Sequence, residues 1–208
     1  GRWHYEKSEP HTIFVSQGNY PIKGLHYALE ALVQIKRFYP NVKLRVTGSN
    51  PLTSGLINRQ KRDSYTNYIE MFIREYELQN NVEFLGILNA DEMKREYLRA
   101  NVFVSSSAIE NSPNSVGEAM ILGTPVVASD VGGVKNLLEH GKEGYVYQSD
   151  APYMLAYYVM DLFANTDKSI EFSKCAKEHA EITHSPLDNA NQMKKIYEYI
   201  AKKREKDQ

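Results

Sequence analysis

Two carboxylates and one lysine carry the chemistry most visible in this chain. Glu110 and Glu118 are separated by seven residues in Ser105-Ser106-Ser107-Ala108-Ile109-Glu110-Asn111-Ser112-Pro113-Asn114-Ser115-Val116-Gly117-Glu118-Ala119-Met120. This stretch leaves an apolar run and enters a helical pattern through small, polar residues, a junction where free backbone N–H groups and the helix dipole can face a phosphate. Carboxylates beside an anion repel it unless they point at something else. Sugar hydroxyls are the natural recipients, since a carboxylate accepting two hydrogen bonds grips a vicinal diol well. Simpler readings stand beside this one. Ser115-x-x-Glu118 equally fits a capping box, in which Glu118 reaches back to the cap's N–H. Glu110 also fits a solvated loop acid, and Asn114 and Ser115 are more often helix caps than ligand contacts.

A second loop, Ser16-Gln17-Gly18-Asn19-Tyr20-Pro21-Ile22-Lys23-Gly24, pairs two glycines with one cation after an apolar run. Glycine lets a backbone approach a ligand closely, and a lysine there can neutralise a diphosphate. Taken alone, Lys23 reads more simply as a surface lysine ahead of a helix. A third loop, Ser129-Asp130-Val131-Gly132-Gly133, offers a glycine pair before another helix start, by itself a weak signal. The chain holds no G-x-G-x-x-G, no G-x-x-x-x-G-K-[ST], no G-x-S-x-G and no H-E-x-x-H. These absences weaken a dehydrogenase and remove a P-loop NTPase, a nucleophile-elbow hydrolase and a zincin. An Asp-x-Asp pair that could hold a metal diphosphate is absent too, so phosphate neutralisation is expected from Lys23 and backbone dipoles without a metal.

Six β-rich runs must position these loops: Thr12–Val15, Val42–Val46, Val82–Leu85, Val102–Val104, Pro125–Ala128 and Gly144–Tyr147. Each is separated from the next by room for a helix, which predicts a parallel sheet. Leu25 to Phe38 carries apolar residues at Leu25, Ala28, Leu29, Leu32 and Ile35, the stripe of a helix packed on a sheet. Further helices are predicted over Asp63 to Leu78 and Asp91 to Arg99. After the last strand they follow over Pro152 to Ala164, Lys168 to Ala180 and Pro186 to Lys203. The expected fold is α/β, a doubly wound Rossmann-like parallel sheet of about six strands, with ligands beyond the carboxyl ends of the strands. The loops of interest are then 16–24, 48–56, 86–90, 105–115 and 129–134.

A length of 208 residues, 42% hydrophobic, suffices for one well-buried core. The division expected is a linker remnant over 1–11, a nucleotide-sugar-binding domain over 12–184, and a C-terminal helix and charged tail over 185–208. The net charge of -1 supplies no general attraction to nucleic acid or anionic lipid. Cys175 is the only cysteine, which fits a reducing compartment and makes the cytoplasm the default. No run is apolar enough for a membrane span, and the first ten residues lack the apolar stretch of a signal peptide.

The residues resemble those of the retaining GT-B glycosyltransferases of the large group that includes sucrose and mannosyl transferases. Glu110 and Glu118 reproduce an E-x7-E motif, continued by Glu118-Ala119-Met120, Gly123-Thr124-Pro125-Val126-Val127-Ala128-Ser129 and Val131-Gly132-Gly133. Lys23-Gly24 follows the first strand, and Val82-Glu83-Phe84-Leu85-Gly86 lies between. The match runs from about Thr12 to Asp161.

The resemblance implies that a nucleotide-diphospho-sugar is the donor. Glu110 would bind donor-sugar hydroxyls, Glu118 the ribose and Lys23 the diphosphate, with Gly18 and Asn19 nearby. Backbone groups around Asn114 and Ser115 would bind sugar and phosphate, and residues near Leu88 would flank the base. Glu110 and Lys23 are the expected catalytic residues. The sugar would pass with retention of anomeric configuration to an acceptor glycan or lipid-linked sugar, in polysaccharide or glycoconjugate assembly.

Three departures accompany the match. Asn19 stands where the family usually has arginine, Asn136 where an acid commonly follows the glycine pair, and Asn111-Ser112-Pro113-Asn114 where glycine, an aromatic and glycine are usual. The acceptor-binding N-terminal domain of such enzymes is expected to be missing from this chain, leaving it inactive alone. That domain could also seat the enzyme at the inner face of a membrane. The alternatives are a non-catalytic sugar-nucleotide-binding module and a GT-B-type sugar-nucleotide epimerase.

Overall fold

In a computed structural model of the chain, residues 1–50 and 63–206 are described. The elements run β1 (Thr12–Val15), α1 (Leu25–Lys36), β2 (Lys43–Val46), α2 (Ser64–Glu75), β3 (Val82–Phe84), α3 (Ala90–Arg99) and β4 (Val102–Ser105). They continue α4 (Asn114–Leu122), β5 (Val126–Ser129), α5 (Val134–Leu137), β6 (Tyr145–Tyr147), α6 (Pro152–Ala164), α7 (Thr166–Thr183) and α8 (Pro186–Lys206). Single 3-10 turns sit at Tyr5–Lys7 and Pro21–Lys23. Of the loop 48–56, residues 51–56 lie outside the described residues, as does Asp207 of the charged tail.

The strands form one sheet in the order β3-β2-β1-β4-β5-β6, every pair parallel. The expected α/β doubly wound, Rossmann-like sheet is therefore present. β1, β4 and β5 are buried along their whole length, as near-continuous apolar runs must be when helices cover both faces. Successive side chains divide between two cores. Ile13, Val15, Val102, Val104 and Val127 pack under α1, α2 and α6. Phe14, Phe103, Val126 and Ala128 pack under α3, α4 and α7.

Strand order reverses between β1 and β4, where pairing is confined to Ile13 with Val102 and Phe14 with Phe103. Crevices for ligands open at such reversals, outside the carboxyl ends of the strands.

The helix ends follow local chemistry. Asp63 caps α2 by accepting from Thr66 N at 2.8 Å. Asn89 and Glu92 close a reciprocal capping box on α3, which therefore starts one residue earlier than predicted. α5 is a single turn and ends at Leu137. No residue of α8 from Pro186 to Lys203 is buried, so Met193, Ile196, Tyr197 and Ile200 are exposed. Among the described residues no helix is long and apolar enough to cross a membrane.

Residues 1–11, expected as a linker remnant, lie fastened against α3 and α4. Trp3 is 2% exposed; its indole N–H donates to Ala100 O at 2.7 Å and its backbone N–H to Leu122 O at 2.8 Å. Glu9 pairs with Arg99 at 2.6 Å and with Arg45 at 3.4 Å, and Arg45 in turn meets Glu96 at 2.8 Å. Arg45 and Glu96 are buried, so each charge depends on the other for compensation. Truncating a buried aromatic leaves a cavity, and Trp3→Ala should lower stability by about 3–5 kcal/mol. Urea unfolding followed by circular dichroism measures this, and a loss below about 1 kcal/mol would mean that the segment adds little to the fold.

Candidate functional site

Two backbones meet at the β1–β4 seam and assemble the site. At Gly24 the chain enters α1 with φ +70°, and a Cβ there would run into the carbonyl oxygen of Ser106. Only glycine meets both demands without strain. The Ser106 hydroxyl donates to Gly24 O at 2.9 Å, and Ala108 N donates to Ile22 O at 2.8 Å, so the loop after β1 is laced to the loop after β4. This lacing brings Lys23 and Glu110 together, with Nζ 2.5 Å from Oε1. Ser107 Oγ donates to the same carboxylate oxygen at 2.8 Å. Oε2 of Glu110 takes no partner among the described residues.

From below, the Glu110 loop rests on the turn after β5. Ser129 Oγ donates to Ser107 O at 2.6 Å, and Gly133 N donates to Asn111 O at 2.6 Å. Gly132 has φ +54°, and a Cβ on it would collide with Glu110 O. The Gly132-Gly133 pair, weak evidence in the sequence, thus shapes the floor beneath the first acid.

The cleft above these residues measures about 350 Å3 and is walled by Ser16, Gln17, Lys23, Ser107, Glu110 and the start of α4. Pro113 is the N-cap of α4 and offers no side-chain cap. The N–H groups of Asn114 and Ser115 have no acceptor among the described residues, so the positive end of the helix is open toward the cleft. The capping box over Ser115 and Glu118 does not form, because α4 starts at Asn114 and Ser115 already lies inside it. The Glu118 carboxylate instead accepts from Tyr97 OH at 3.0 Å.

Tyr97 is 1% exposed, and its phenol lies well above its ordinary value through burial and the neighbouring Glu118 charge, so it remains a donor. Beyond it, α3 and α4 enclose an apolar hollow of about 360 Å3 lined by Ala90, Met93, Lys94, Tyr97, Ile121 and Leu122. Met93 and Glu118 line both spaces, which places the two side by side.

Of the residues singled out in the sequence, Lys23, Glu110, Asn114, Ser115 and Glu118 line one cleft. Gly18 and Asn19 do not. Gly18 N donates to Thr47 O at 3.0 Å, and Asn19 Oδ1 accepts from Ser49 N at 2.9 Å, so both tie the β1 loop to the β2 loop. Leu88 is half-buried just ahead of α3, outside the cleft lining, and Asn136 is exposed on α5. Tyr97, Ser107 and Met93 were not among the sequence candidates. A usable signal existed for two of them, since Met93 and Tyr97 sit four apart on one face of a mostly charged helix.

A sheet of this order, with its crevice between β1 and β4, has the doubly wound Rossmann arrangement. The chain superposes on HepE of Anabaena, solved with UDP and glucose, with a TM-score of 0.75 at 24% identity, covering 89% of this chain and 48% of that one. That likeness concerns the fold alone. Residues 2–179 match the family described as Glycosyl transferases group 1, and the chain belongs to that family. Spore coat protein SA of Bacillus subtilis is 27% identical over 180 residues, 85% of this chain and 46% of that protein. The D-inositol 3-phosphate glycosyltransferase of Corynebacterium urealyticum is 29% identical over 177 residues, 85% of this chain and 40% of the relative. The chain thus spans under half the length of these two relatives.

A side chain at Gly132 must push the Glu110 loop upward or twist the turn out of its left-handed conformation. Gly132→Ala should cost about 1–3 kcal/mol and lower the hydrogen-exchange protection of residues 105–115 in this chain. Wild-type stability with unchanged protection would show that the turn does not support the loop.

Proposed function

We propose that this chain is the donor-binding half of a retaining glycosyltransferase, holding a nucleoside diphosphate sugar in the cleft at the β1–β4 seam. One observation carries the reading: a cation, an open helix N-terminus and two differently placed carboxylates converge on a single cleft. An anion and a polyol joined in one molecule match that set. Family membership supports transfer of a sugar, and UDP with glucose in the HepE structure supports a nucleotide sugar as its source.

In this reading the diphosphate lies over the N–H groups of Asn114 and Ser115 and draws Lys23 Nζ away from Glu110. The carboxylate released from that pair accepts from hydroxyls of the sugar, while Ser107 keeps it in place. Glu118 accepts from the ribose diol, and the base enters the apolar hollow beside Met93 and Tyr97. When the bond between the anomeric carbon and the diphosphate oxygen breaks, negative charge grows on the leaving group. Lys23 and the α4 dipole already face the place where that charge develops, which lowers the barrier without reorganisation. The acceptor is held by the other half of the longer protein, and the new glycosidic bond keeps the anomeric configuration.

The placement of Asn19 bears on the rival, a binding module without transfer. Its amide is engaged with Ser49 rather than aimed into the cleft, so Lys23 carries the diphosphate contact from this loop. Calorimetric titration of the 208-residue chain with UDP, GDP and ADP tests the reading. One nucleotide should bind, and Lys23→Ala and Glu118→Ala should each weaken it about tenfold or more, as loss of a charge-assisted hydrogen bond does. Binding that ignores both substitutions would sink the assignment. In the longer protein, the anomeric configuration of the product, read by NMR, decides retention.

A further inference from the structure

The ring of Tyr97 is held firmly in the core beside the cleft. Its ring packs against Phe14 and Phe103, with centroids 5.0 Å away in each case. Its carbonyl accepts from Thr124 Oγ1 at 2.9 Å. Helix α3 is itself pinned at its start by the Asn89–Glu92 capping box and at its end by Glu96 and Arg99, which meet Arg45 and Glu9. The hydroxyl alone reaches the cleft margin, 3.0 Å from Glu118 Oε2 and 3.3 Å from Ser115 O. It has one proton to give, and a carboxylate is the stronger acceptor.

Glu118 by contrast stands exposed on α4 and has no other partner among the described residues. A glutamate in that position samples several rotamers, and a ligand that needs one of them must supply the ordering.

We propose that Tyr97 is a positioning residue that selects the Glu118 rotamer for the ribose diol before the nucleotide arrives. This inference rests on the reading of Glu118 as the ribose ligand. Oε2 is anchored on the phenol, which leaves Oε1 and the remaining lone pair of Oε2 as acceptors for two neighbouring hydroxyls. The raised phenol value, caused by burial and the Glu118 charge, supports the assignment, because the hydroxyl stays protonated and keeps donating at neutral pH. The anchored carboxylate stands at the border between the hollow and the cleft.

Tyr97→Phe removes one oxygen and keeps the ring contacts, so the core stays packed. The test titrates UDP, GDP and ADP, each beside its 2′-deoxy counterpart, into the wild-type chain, Tyr97→Phe, Glu118→Ala and the double variant. For the nucleotide that binds, Tyr97→Phe should weaken the ribonucleotide about tenfold and leave the 2′-deoxynucleotide nearly unchanged. Added to Glu118→Ala it should cost nothing further, the signature of two residues acting as a unit.

A purely structural tyrosine would weaken both nucleotides alike. If Glu118→Ala abolishes the preference for ribose and Tyr97→Phe preserves it, the positioning role is overturned and the donor reading stands. If Glu118→Ala leaves the preference intact, Glu118 is not the ribose ligand and both fall. Failure of all three nucleotides to bind the wild-type chain removes the donor reading itself.

Discussion

The close approach of Gly24 to the Ser106 carbonyl is the constraint on which the site depends. Two strands that are not consecutive in sequence lie side by side, and their outgoing loops would otherwise diverge to opposite faces of the sheet. A residue with a side chain at position 24 would hold the loops apart. With glycine there, the hydroxyl of Ser106 and the amide of Ala108 can lock across the seam, and Lys23 and Glu110 are brought to contact distance. The ion pair is a result of that backbone fit. Its partners are only partly exposed, so their attraction is screened less than that of a surface pair.

Around this junction the sheet supplies rigidity in layers. Phe14 and Phe103 sit at the paired positions of β1 and β4 and present one aromatic face to Tyr97. The aromatic cluster therefore links the seam of the sheet to the second acid, as the Gly132-Gly133 turn links β5 to the first. Only seven residues lie between the acids in sequence, yet they are supported by different parts of the structure. Glu110 rides on two loops, and Glu118 on a helix and a buried phenol.

Much of the fold was legible because its signals are local and repeated. The apolar runs at 12–15, 102–105 and 126–129 mark doubly covered strands, and the stripe from Leu25 to Ile35 marks a helix on a sheet. The candidate site was legible where its residues lie in the loops that leave the strands, as with Lys23 and Glu110. It was ambiguous where a local motif competed with a distant partner. Ser115-x-x-Glu118 has the spacing of a capping box, yet Pro113 starts the helix earlier and Tyr97 claims the carboxylate. The docking of residues 1–11 was equally out of reach, since Trp3 finds Ala100 and Leu122 only after the whole β3-α3-β4-α4 region has folded. Gly18 and Asn19 were grouped with the cleft through the family resemblance, whereas here they face the β2 loop.

The strand order also dictates a timetable. β1 acquires β2 as a neighbour within some thirty residues of chain, through pairs such as Ile13 with Leu44, but its other edge waits for Val102 and Phe103. Contacts so far apart along the chain form late, because a long loop must close before they stabilise anything. As the polypeptide leaves the ribosome, β1, β2 and β3 can associate while β1 still presents a bare apolar edge, the kind of surface that recruits a second chain. The seam beneath the candidate cleft is thus the pairing in the sheet that must close over the longest stretch of chain. During synthesis it is a vulnerability.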